Sequence, residues 1–467
     1  MERGRNRSPV ALAVSVVGLF VVEIMIASAA LSAQIPITYD ESWNYHNVSS
    51  RGAWYALSSY EFPNNHILFS TLQSVLPAAL VKFWPPALRI LNLFCGLVFL
   101  VLLFHLLSKR FTLPGAAVGV VAVVFCSPLF TLYVFVARGY LAGTLLLLSA
   151  VVLAAEGRRF YVPGIMTGLA AACVPTFGLP IPAVAATYLF AALRQGKRSH
   201  AFAGAIGVVG FTIGIAAIFY LPKSSLLLRH SSVWRAGISG PQFINEVFGS
   251  IGNHSIVSVL VLALLAIALV PAIANAPVNI GHASDSAEST NFISATGLIL
   301  ACLSYVGLAC LLAFLKIANP PFPRNGLFIP LFLWVALFQL YLRLPAPIRA
   351  LSSMSAAANT ALGVLLCVHS FGPDGDPNRY PFFEELSPTP AHGTLSLSRR
   401  GIRIDAIETL TPNTSVAASL YAETLSVPLM LEADAQIPQT CAAGRQRPPP
   451  HQTVIALSQG NALLICY

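Results

Sequence analysis

The sequence predicts an all-α polytopic membrane protein with a small extracytoplasmic α/β or β domain at its C-terminal end. Three observations predict this class. Of the 467 residues, 56% are hydrophobic and only 10% are charged, whereas a soluble domain carries about a quarter charged residues. Apolar runs long enough to cross a bilayer recur up to about residue 370. Residues 371–467 then change to a polar composition with many prolines.

The apolar runs correspond to about eleven expected membrane spans. They cover residues 9–33, 88–107, 114–136, 141–155, a hairpin over 161–193 broken at its prolines, 201–221, 255–274, 292–317, 327–342 and 348–370. We expect an interfacial helix within 38–60, a partly embedded segment over 66–83 and an outer loop over 222–253. The chain therefore divides into a membrane domain, 1–370, and a C-terminal domain, 371–467.

Basic residues give these spans a direction. Arg3, Arg5 and Arg7 precede the first span, which places the N-terminus in the cytoplasm by the positive-inside rule. An odd number of spans then puts the loop after the first span and the C-terminal domain outside the cytoplasm. In a bacterium this predicts the inner membrane. The net charge of +9 fits cytoplasmic loops and contact with anionic membrane lipids, and nothing in the pattern indicates nucleic acid.

The C-terminal domain offers strand patterns and a pair of cysteines. Short apolar runs over 393–397, 402–407, 427–431 and 454–457 are typical of strands. Six of the eight cysteines lie in apolar runs, and no cysteine spacing indicates zinc. Cys441 and Cys466 lie in the polar tail, where a disulfide between them is compatible with an extracytoplasmic location.

Two adjacent carboxylates, Asp40 and Glu41, follow the first span in a chain with few charges. A carboxylate within hydrogen-bond reach of a hydroxyl or amine can act as a general base. An adjacent pair also suits a divalent cation that bridges a phosphate leaving group, and His66 is the third residue that would join such a metal site. The structural alternatives are that Glu41 completes a capping box with Thr38 and that Asp40 adds favourable charge at a helix N-terminus.

Further polar candidates lie at the expected outer face. Asn65 and His66 precede an apolar segment, so Asn65 has N-capping as its structural alternative, while His66 can donate to a phosphate or position an acceptor. Arg89, Arg138 and Arg324 lie near the outer ends of spans. A guanidinium matches a phosphate with two parallel hydrogen bonds, and the structural alternative is contact with lipid headgroups.

These residues together resemble a known family. Asp40-Glu41 resembles the Asp-Glu motif in the first outer loop of GT-C-fold glycosyltransferases, in the branch of the protein O-mannosyltransferases and lipid A aminoarabinose transferases. Asn65-His66-Ile67-Leu68 is similar to a His-Pro-Pro-Leu element of that branch but lacks both prolines. Leu88-Arg89 and Ala137-Arg138-Gly139-Tyr140 are similar to the start of its next span and to an outer turn. Pro323-Arg324 is similar to a late Pro-Arg-Tyr element, with Asn325 in place of tyrosine.

The resemblance implies a GT-C-like membrane domain, a polyprenyl-phosphate sugar donor and inversion at the anomeric carbon. It implies Asp40 as the general base, with Glu41 beside it in the catalytic pair, and a lipid, glycan or protein as the acceptor. The residues that it assigns to substrate contacts are Asn65, His66, Arg89, Arg138, Tyr140 and Arg324.

Two other classes of function are open to a chain of this composition. One is a transporter or lipid flippase, in which charged side chains line a pathway at mid-membrane depth on several helices. Glu23 is nearly alone at that depth in the sequence, which favours the enzyme. The other is a non-catalytic membrane subunit whose C-terminal domain binds a partner.

Overall fold

The computed structural model describes most of the membrane domain and short pieces of the tail. The described residues are 41, 44–45, 47–60, 66–83, 85–225, 239–252, 255–274, 286–318, 320–321, 323–371, 395–398, 401–404, 429–431, 454–457 and 463–466. The first expected span, with Glu23, lies outside the described residues, as do Asp40, Asn65 and Cys441.

Up to residue 371 the described chain is almost entirely helical. Its α-helices are α1 (Ala53–Ser58), α2 (Ile67–Gln73), α3 (Ala78–Phe83), α4 (Ile90–Ser108), α5 (Leu113–Phe125), α6 (Pro128–Phe135), α7 (Gly139–Ala155), α8 (Tyr161–Cys173), α9 (Ile181–Arg194), α10 (Arg198–Tyr220), α11 (Gly240–Ile251), α12 (Val257–Ala274), α13 (Ser286–Phe314), α14 (Phe328–Leu340) and α15 (Ala346–Phe371). Short 3-10 helices cover Ser49–Arg51, Pro85–Arg89, Pro175–Gly178, Leu221–Lys223, Pro323–Gly326 and Tyr341–Arg343.

Four helical stretches in the described part are long and apolar enough to cross a bilayer. They are Ala87–Ser108, Pro175–Arg194, Arg198–Lys223 and Thr290–Phe314. Five shorter apolar helices accompany them, over Leu113–Phe125, Gly139–Ala155, Tyr161–Cys173, Val257–Ile267 and Phe328–Leu340. This composition is that of a helical membrane protein, and the count of eleven spans stays a prediction.

Prolines explain where expected spans are interrupted. The expected span over 114–136 is two helices, α5 and α6, with the break at Cys126-Ser127 just before Pro128. A residue that precedes proline is disfavoured in the helical region, and proline itself has no N–H to donate. The hairpin over 161–193 turns at Pro175, as predicted.

Close contact between α8 and α10 depends on two glycines of α8. A Cβ on Gly164 would lie 2.8 Å from the Cβ of Phe211, and a Cβ on Gly168 would lie 2.6 Å from the Cβ of Ile215. Glycines four residues apart allow two helices to approach backbone to backbone, as is common in membrane proteins. Thr212 adds a hydrogen bond from its Oγ1 to the carbonyl oxygen of Gly164, at 3.1 Å.

α14 lies in the middle of the described bundle. Nearly all of its side chains are buried, as expected for a helix that is apolar on every face. The indole Nε1 of Trp334 donates to the carbonyl oxygen of Ile251, at 2.9 Å, which satisfies a carbonyl at the C-terminal end of α11.

α11 is a helix inside the stretch that the sequence indicated as an outer loop. It begins after Ser239, whose Oγ accepts a hydrogen bond from the N–H of Gln242 at 3.3 Å, and Pro241 occupies its first turn. Both are typical of a helix start. Phe243 and Ile251 are buried, while Phe248 on another face is 47% exposed. The expected outer loop therefore contains a helix, and its location outside the cytoplasm stays a prediction.

The described pieces of the tail are five short strands: β1 (Leu395–Ser398), β2 (Gly401–Ile404), β3 (Leu429–Leu431), β4 (Val454–Leu457) and β5 (Leu463–Cys466). β1 pairs antiparallel with β2, which pairs parallel with β3, and β4 pairs antiparallel with β5. The first four overlap the runs that the sequence indicated as strands. The residues between them are outside the described part, so the predicted domain and its disulfide stay predictions.

Candidate functional site

The candidate site is built on a buried ion pair between Glu41 and Arg89. The Nε of Arg89 donates to Oε1 of Glu41 at 2.8 Å, and Nη2 donates to Oε2 at 2.7 Å. Oε1 also accepts a hydrogen bond from the N–H of Ala137, at 2.7 Å. Both charged side chains are fully buried. Three segments of the chain therefore meet at the Glu41 carboxylate, which receives two parallel charge-assisted bonds and one from the backbone.

The first turn of α4 holds the non-helical segment before α7. Residues 136–138 lie between two helices, so their backbone groups need other partners. The side-chain amide of Asn92, one turn after Arg89, donates to the carbonyl oxygens of Tyr133, Val136 and Arg138. Arg89 and Asn92 thus act on the same segment, Arg89 through Glu41 and Asn92 directly.

A second buried network ties the residues after Glu41 to α2. The Oε1 of Gln73 accepts hydrogen bonds from Asn44 Nδ2 at 3.1 Å and from Ser49 Oγ at 2.9 Å. Ser70 Oγ donates to Asn44 Oδ1 at 2.8 Å, and Gln73 Nε2 donates to the carbonyl oxygen of Leu88 at 3.2 Å. Buried polar groups that bond one another in this way fix a single arrangement of the chain.

His66 has a defined proton arrangement. Its Nδ1 lies 2.8 Å from the carbonyl oxygen of Cys173, the last residue of α8. A carbonyl oxygen only accepts, so Nδ1 carries the proton, and in the neutral ring Nε2 is an acceptor. The contact also satisfies an orphan carbonyl at a helix end, which is the structural explanation for a buried histidine at this position.

Gly139 allows His66 to approach α7. A Cβ at position 139 would lie 2.9 Å from both the carbonyl oxygen of Cys173 and the Cβ of His66. The imidazole then packs edge-on against Tyr140, with ring centroids 4.7 Å apart, and the Tyr140 ring packs at a tilt against Tyr133, with centroids 4.8 Å apart. The glycine is required here for space.

Arg138 is a buried cation at the N-terminus of α7. It has an extended backbone and precedes the helix directly. Its side chain is 1% exposed, and the guanidinium carbon lies 5.7 Å from the centre of the Tyr140 ring. A helix N-terminus and a guanidinium both favour an anion at the same place. The position beside the Arg138 guanidinium is therefore suited to a phosphate or a carboxylate.

The structure brings five of the sequence-predicted residues together: Glu41, His66, Arg89, Arg138 and Tyr140. Arg324 lies in the 3-10 helix Pro323–Gly326, and its side chain is outside the described part, as are Asp40 and Asn65. Within the described residues, no group of three or more His, Cys, Asp or Glu side chains is placed to hold a metal ion. Since Asp40 is outside that set, the divalent cation stays a prediction.

Among the described buried polar side chains that sequence reasoning did not assign to the site are Gln73, Asn92 and Lys223. Gln73 lies in the segment 66–83, which the sequence predicts to be partly embedded in the membrane. A polar side chain in such a segment indicates a buried hydrogen-bonded position. Asn92 lies three residues after Arg89, which on a helix is the same face. Nothing in the sequence distinguishes Lys223 from an ordinary lysine at a span end.

Comparison with known proteins gave no match, either to a family model or to a curated protein. Function is therefore argued from the geometry of the described residues and from the residue pattern around them. The geometry supplies a buried ion pair, a histidine with an acceptor nitrogen and a buried arginine at a helix N-terminus. These groups can position an anion and a proton-carrying substrate beside each other.

Proposed function

We propose that this protein is an integral membrane glycosyltransferase. It moves a sugar from a polyprenyl-phosphate donor to a lipid, glycan or protein acceptor at the outer face of the membrane. One observation carries the proposal: the Glu41 carboxylate joins the chain immediately after Asp40 to Arg89 and to the backbone beside Arg138. A carboxylate proposed as a base and a cation proposed for the donor phosphate thus belong to segments that one ion pair holds together.

The reaction is a single displacement. The acceptor oxygen attacks the anomeric carbon of the sugar, and the bond from that carbon to the phosphate oxygen breaks on the opposite side. Asp40 takes the proton from the acceptor hydroxyl, or from an amine if the acceptor is one. The polyprenyl phosphate leaves with the electron pair of the broken bond. Configuration at the anomeric carbon is inverted.

Arg138 binds the donor phosphate in this proposal, with Arg324 as the second cation. The charge on the leaving phosphate increases as the bond breaks, so a cation fixed beforehand favours the transition state over the ground state. Arg89 has a different role from Arg138, because its Nε and Nη2 already donate hydrogen bonds to Glu41. We therefore assign Arg89 and Glu41 to positioning the loop rather than to substrate contact.

His66 and Tyr140 are assigned to the acceptor side. With Nδ1 bonded to Cys173, His66 presents Nε2 as an acceptor for a hydroxyl proton. Tyr140 packs against both His66 and Arg138, which keeps the imidazole and the guanidinium at a fixed separation. A divalent cation on Asp40, Glu41 or His66 would supply further stabilisation of the leaving phosphate.

The finer topology belongs to the same proposal. About eleven spans place the N-terminus in the cytoplasm and the site and C-terminal domain outside, in a bacterial inner membrane. Within the described residues, buried Arg89, Arg138 and Lys223 lie at helix ends or in connections, as does His66. A transporter or flippase would instead need charges at mid-membrane depth on several helices. This distribution supports the enzyme over that alternative.

Asp40→Asn in the full-length chain tests the proposal. Membranes that contain the variant are supplied with a labelled polyprenyl-phosphate hexose, and the release of polyprenyl phosphate is followed. We expect transfer to fall about 10²–10⁴-fold, the usual contribution of a general base. Asp285→Asn, in an expected inner loop, is the matched control and should leave transfer unchanged. Normal turnover by Asp40→Asn at normal expression would refute the mechanism.

A further inference from the structure

Lys223 is a fully buried lysine at the rim of the bundle. It ends the 3-10 helix Leu221–Lys223 that follows α10, and its side chain has no exposed surface. Leu221 beside it is 69% exposed, and Ser224 and Ser225 are exposed as well. Lys223 is therefore buried directly beside exposed residues of its own segment. A ligand that binds at this surface can contact it.

The ammonium group of Lys223 has no counter-ion among the residues that the structure describes. Its Nζ donates to the carbonyl oxygen of Phe219, at 3.0 Å. That contact uses one of three N–H donors. The carbonyl end of a helix carries only roughly half an elementary charge, so it offsets part of a full positive charge. Lysines are almost never fully buried without a partner, which indicates that an anion is missing from this corner.

Tyr60 supplies a second, independent observation at the same corner. It is fully buried, and its hydroxyl has no hydrogen-bond partner among the described residues. Its ring packs edge-on against Tyr220, with centroids 6.4 Å apart. Tyr220 lies three residues before Lys223, on the same face of the chain. Burial raises the pKa of Tyr60 above its ordinary value, so its hydroxyl stays protonated and able to donate.

The surroundings indicate what kind of anion fits. α10 exposes large apolar side chains on two of its faces: Phe202, Ile206 and Ile213 on one, and Phe211 and Ile218 on the opposite one. An exposed apolar helix of this length faces lipid chains in a membrane protein. A molecule with a long apolar chain and an anionic head can pack along α10 and place its head at Lys223. A free anion, which lacks an apolar chain, would not contact the exposed apolar side chains of α10.

We propose that Lys223 and Tyr60 bind the phosphate group of a lipid whose chain packs along α10. Lys223 supplies the charge, and Tyr60 donates a hydrogen bond to a phosphate oxygen. The corner adjoins the candidate site, because Tyr220 donates to the carbonyl oxygen of Ala171 in the same last turn of α8 that His66 contacts. A bilayer phospholipid and a polyprenyl phosphate carry the same chemistry, and binding of either does not depend on glycosyl transfer.

Lipid binding to the purified full-length protein tests the proposal. The protein in neutral detergent is titrated with phosphatidylglycerol in one arm and with a polyprenyl phosphate in the other, and bound lipid is counted by native mass spectrometry. The matching polyprenol and a diacylglycerol, which lack phosphate, serve as ligand controls. We expect Lys223→Met to weaken binding about tenfold or more in at least one arm, Tyr60→Phe to weaken it less, and Lys223→Arg to retain it. The affected arm identifies the source of the phosphate.

Lys197→Met is the matched control, since Lys197 is an exposed lysine at the opposite end of the same helix. It should bind both lipids as the unmodified protein does. Unchanged binding by folded Lys223→Met in both arms overturns the proposal, and so does an equal loss in Lys197→Met. If Lys223→Met does not fold, the decision passes to Tyr60→Phe, which removes a single oxygen. Binding by that variant as tight as the unmodified protein's in both arms would then overturn it.

Discussion

Breaking the ion pair between Glu41 and Arg89 should destabilise the protein more than removing both charges together. Arg89→Met removes the cation that pairs with the buried Glu41 carboxylate and keeps the hydrogen bond from the Ala137 N–H. Removing one partner of a fully buried pair costs about 3–5 kcal/mol, and one hydrogen bond to a charged group offsets only about 1.5–3 kcal/mol of such a cost. Glu41→Gln leaves the Arg89 guanidinium buried in the same way. In the double variant, a neutral glutamine still accepts from Ala137, so we expect a loss of about 1–2 kcal/mol.

The assay is thermal unfolding of full-length protein in detergent, followed by the fluorescence of its five tryptophans. For a chain of this size each kcal/mol shifts the midpoint by about 1–2 °C, so each single variant should unfold about 3–10 °C lower. The double variant should unfold at a higher temperature than either single variant. Arg158→Met is the control, because Arg158 is 67% exposed and pairs with Glu156 at 3.3 Å; its midpoint should stay within about 1 °C. Additive single effects would refute the reasoning, since independent sites add.

Two further variants test the geometry around His66. Gly139→Ala places a methyl group against His66 and the Cys173 carbonyl, so we expect a lower unfolding midpoint and at least about tenfold slower transfer; Gly210→Ala, where nothing lies within 4 Å, should change neither. His66→Asn keeps a donor for Cys173 but loses the acceptor nitrogen, so we expect the midpoint to be retained while transfer falls about 10²-fold. Equal transfer by His66→Asn and the unmodified protein would limit His66 to a structural role.

The sequence predicts the helices well where composition alone decides the outcome. α7 (Gly139–Ala155) and α4 (Ile90–Ser108) begin and end within two residues of the expected spans, because a long apolar run in a membrane satisfies its backbone only as a helix. The sequence predicts the helices less well where a single residue breaks a span or where polar and apolar residues are mixed. Pro128 divides one span, and α11 forms in a stretch of low hydropathy that takes its helical form by packing on α12 and α14.

The candidate site was predictable as a set of residues but not as a set of contacts. Glu41, Arg89 and Arg138 each stand out because charged residues are rare in this chain. The pairing of Glu41 with Arg89 cannot be predicted from the sequence, because the two residues are 48 positions apart and no local pattern relates positions so distant. Lys223 gave no signal for the same reason: its burial depends on how α10 packs beside α8 and Tyr60, and tertiary packing decides that.

The two adjacent carboxylates now differ in what they can do. Oε1 of Glu41 accepts hydrogen bonds from Arg89 and Ala137, and Oε2 accepts one from Arg89. A carboxylate has about four lone-pair sites, so at least three are already used and the acceptor proton would have to displace an existing partner. A general base needs a free lone pair directed at the nucleophile. If the base comes from this pair, it is therefore Asp40, and Glu41 serves to fix the residue that precedes it. The double variant Glu41→Gln/Arg89→Met should accordingly retain more transfer than Asp40→Asn, although it changes two buried residues and Asp40→Asn only replaces one carboxylate oxygen with an NH2 group.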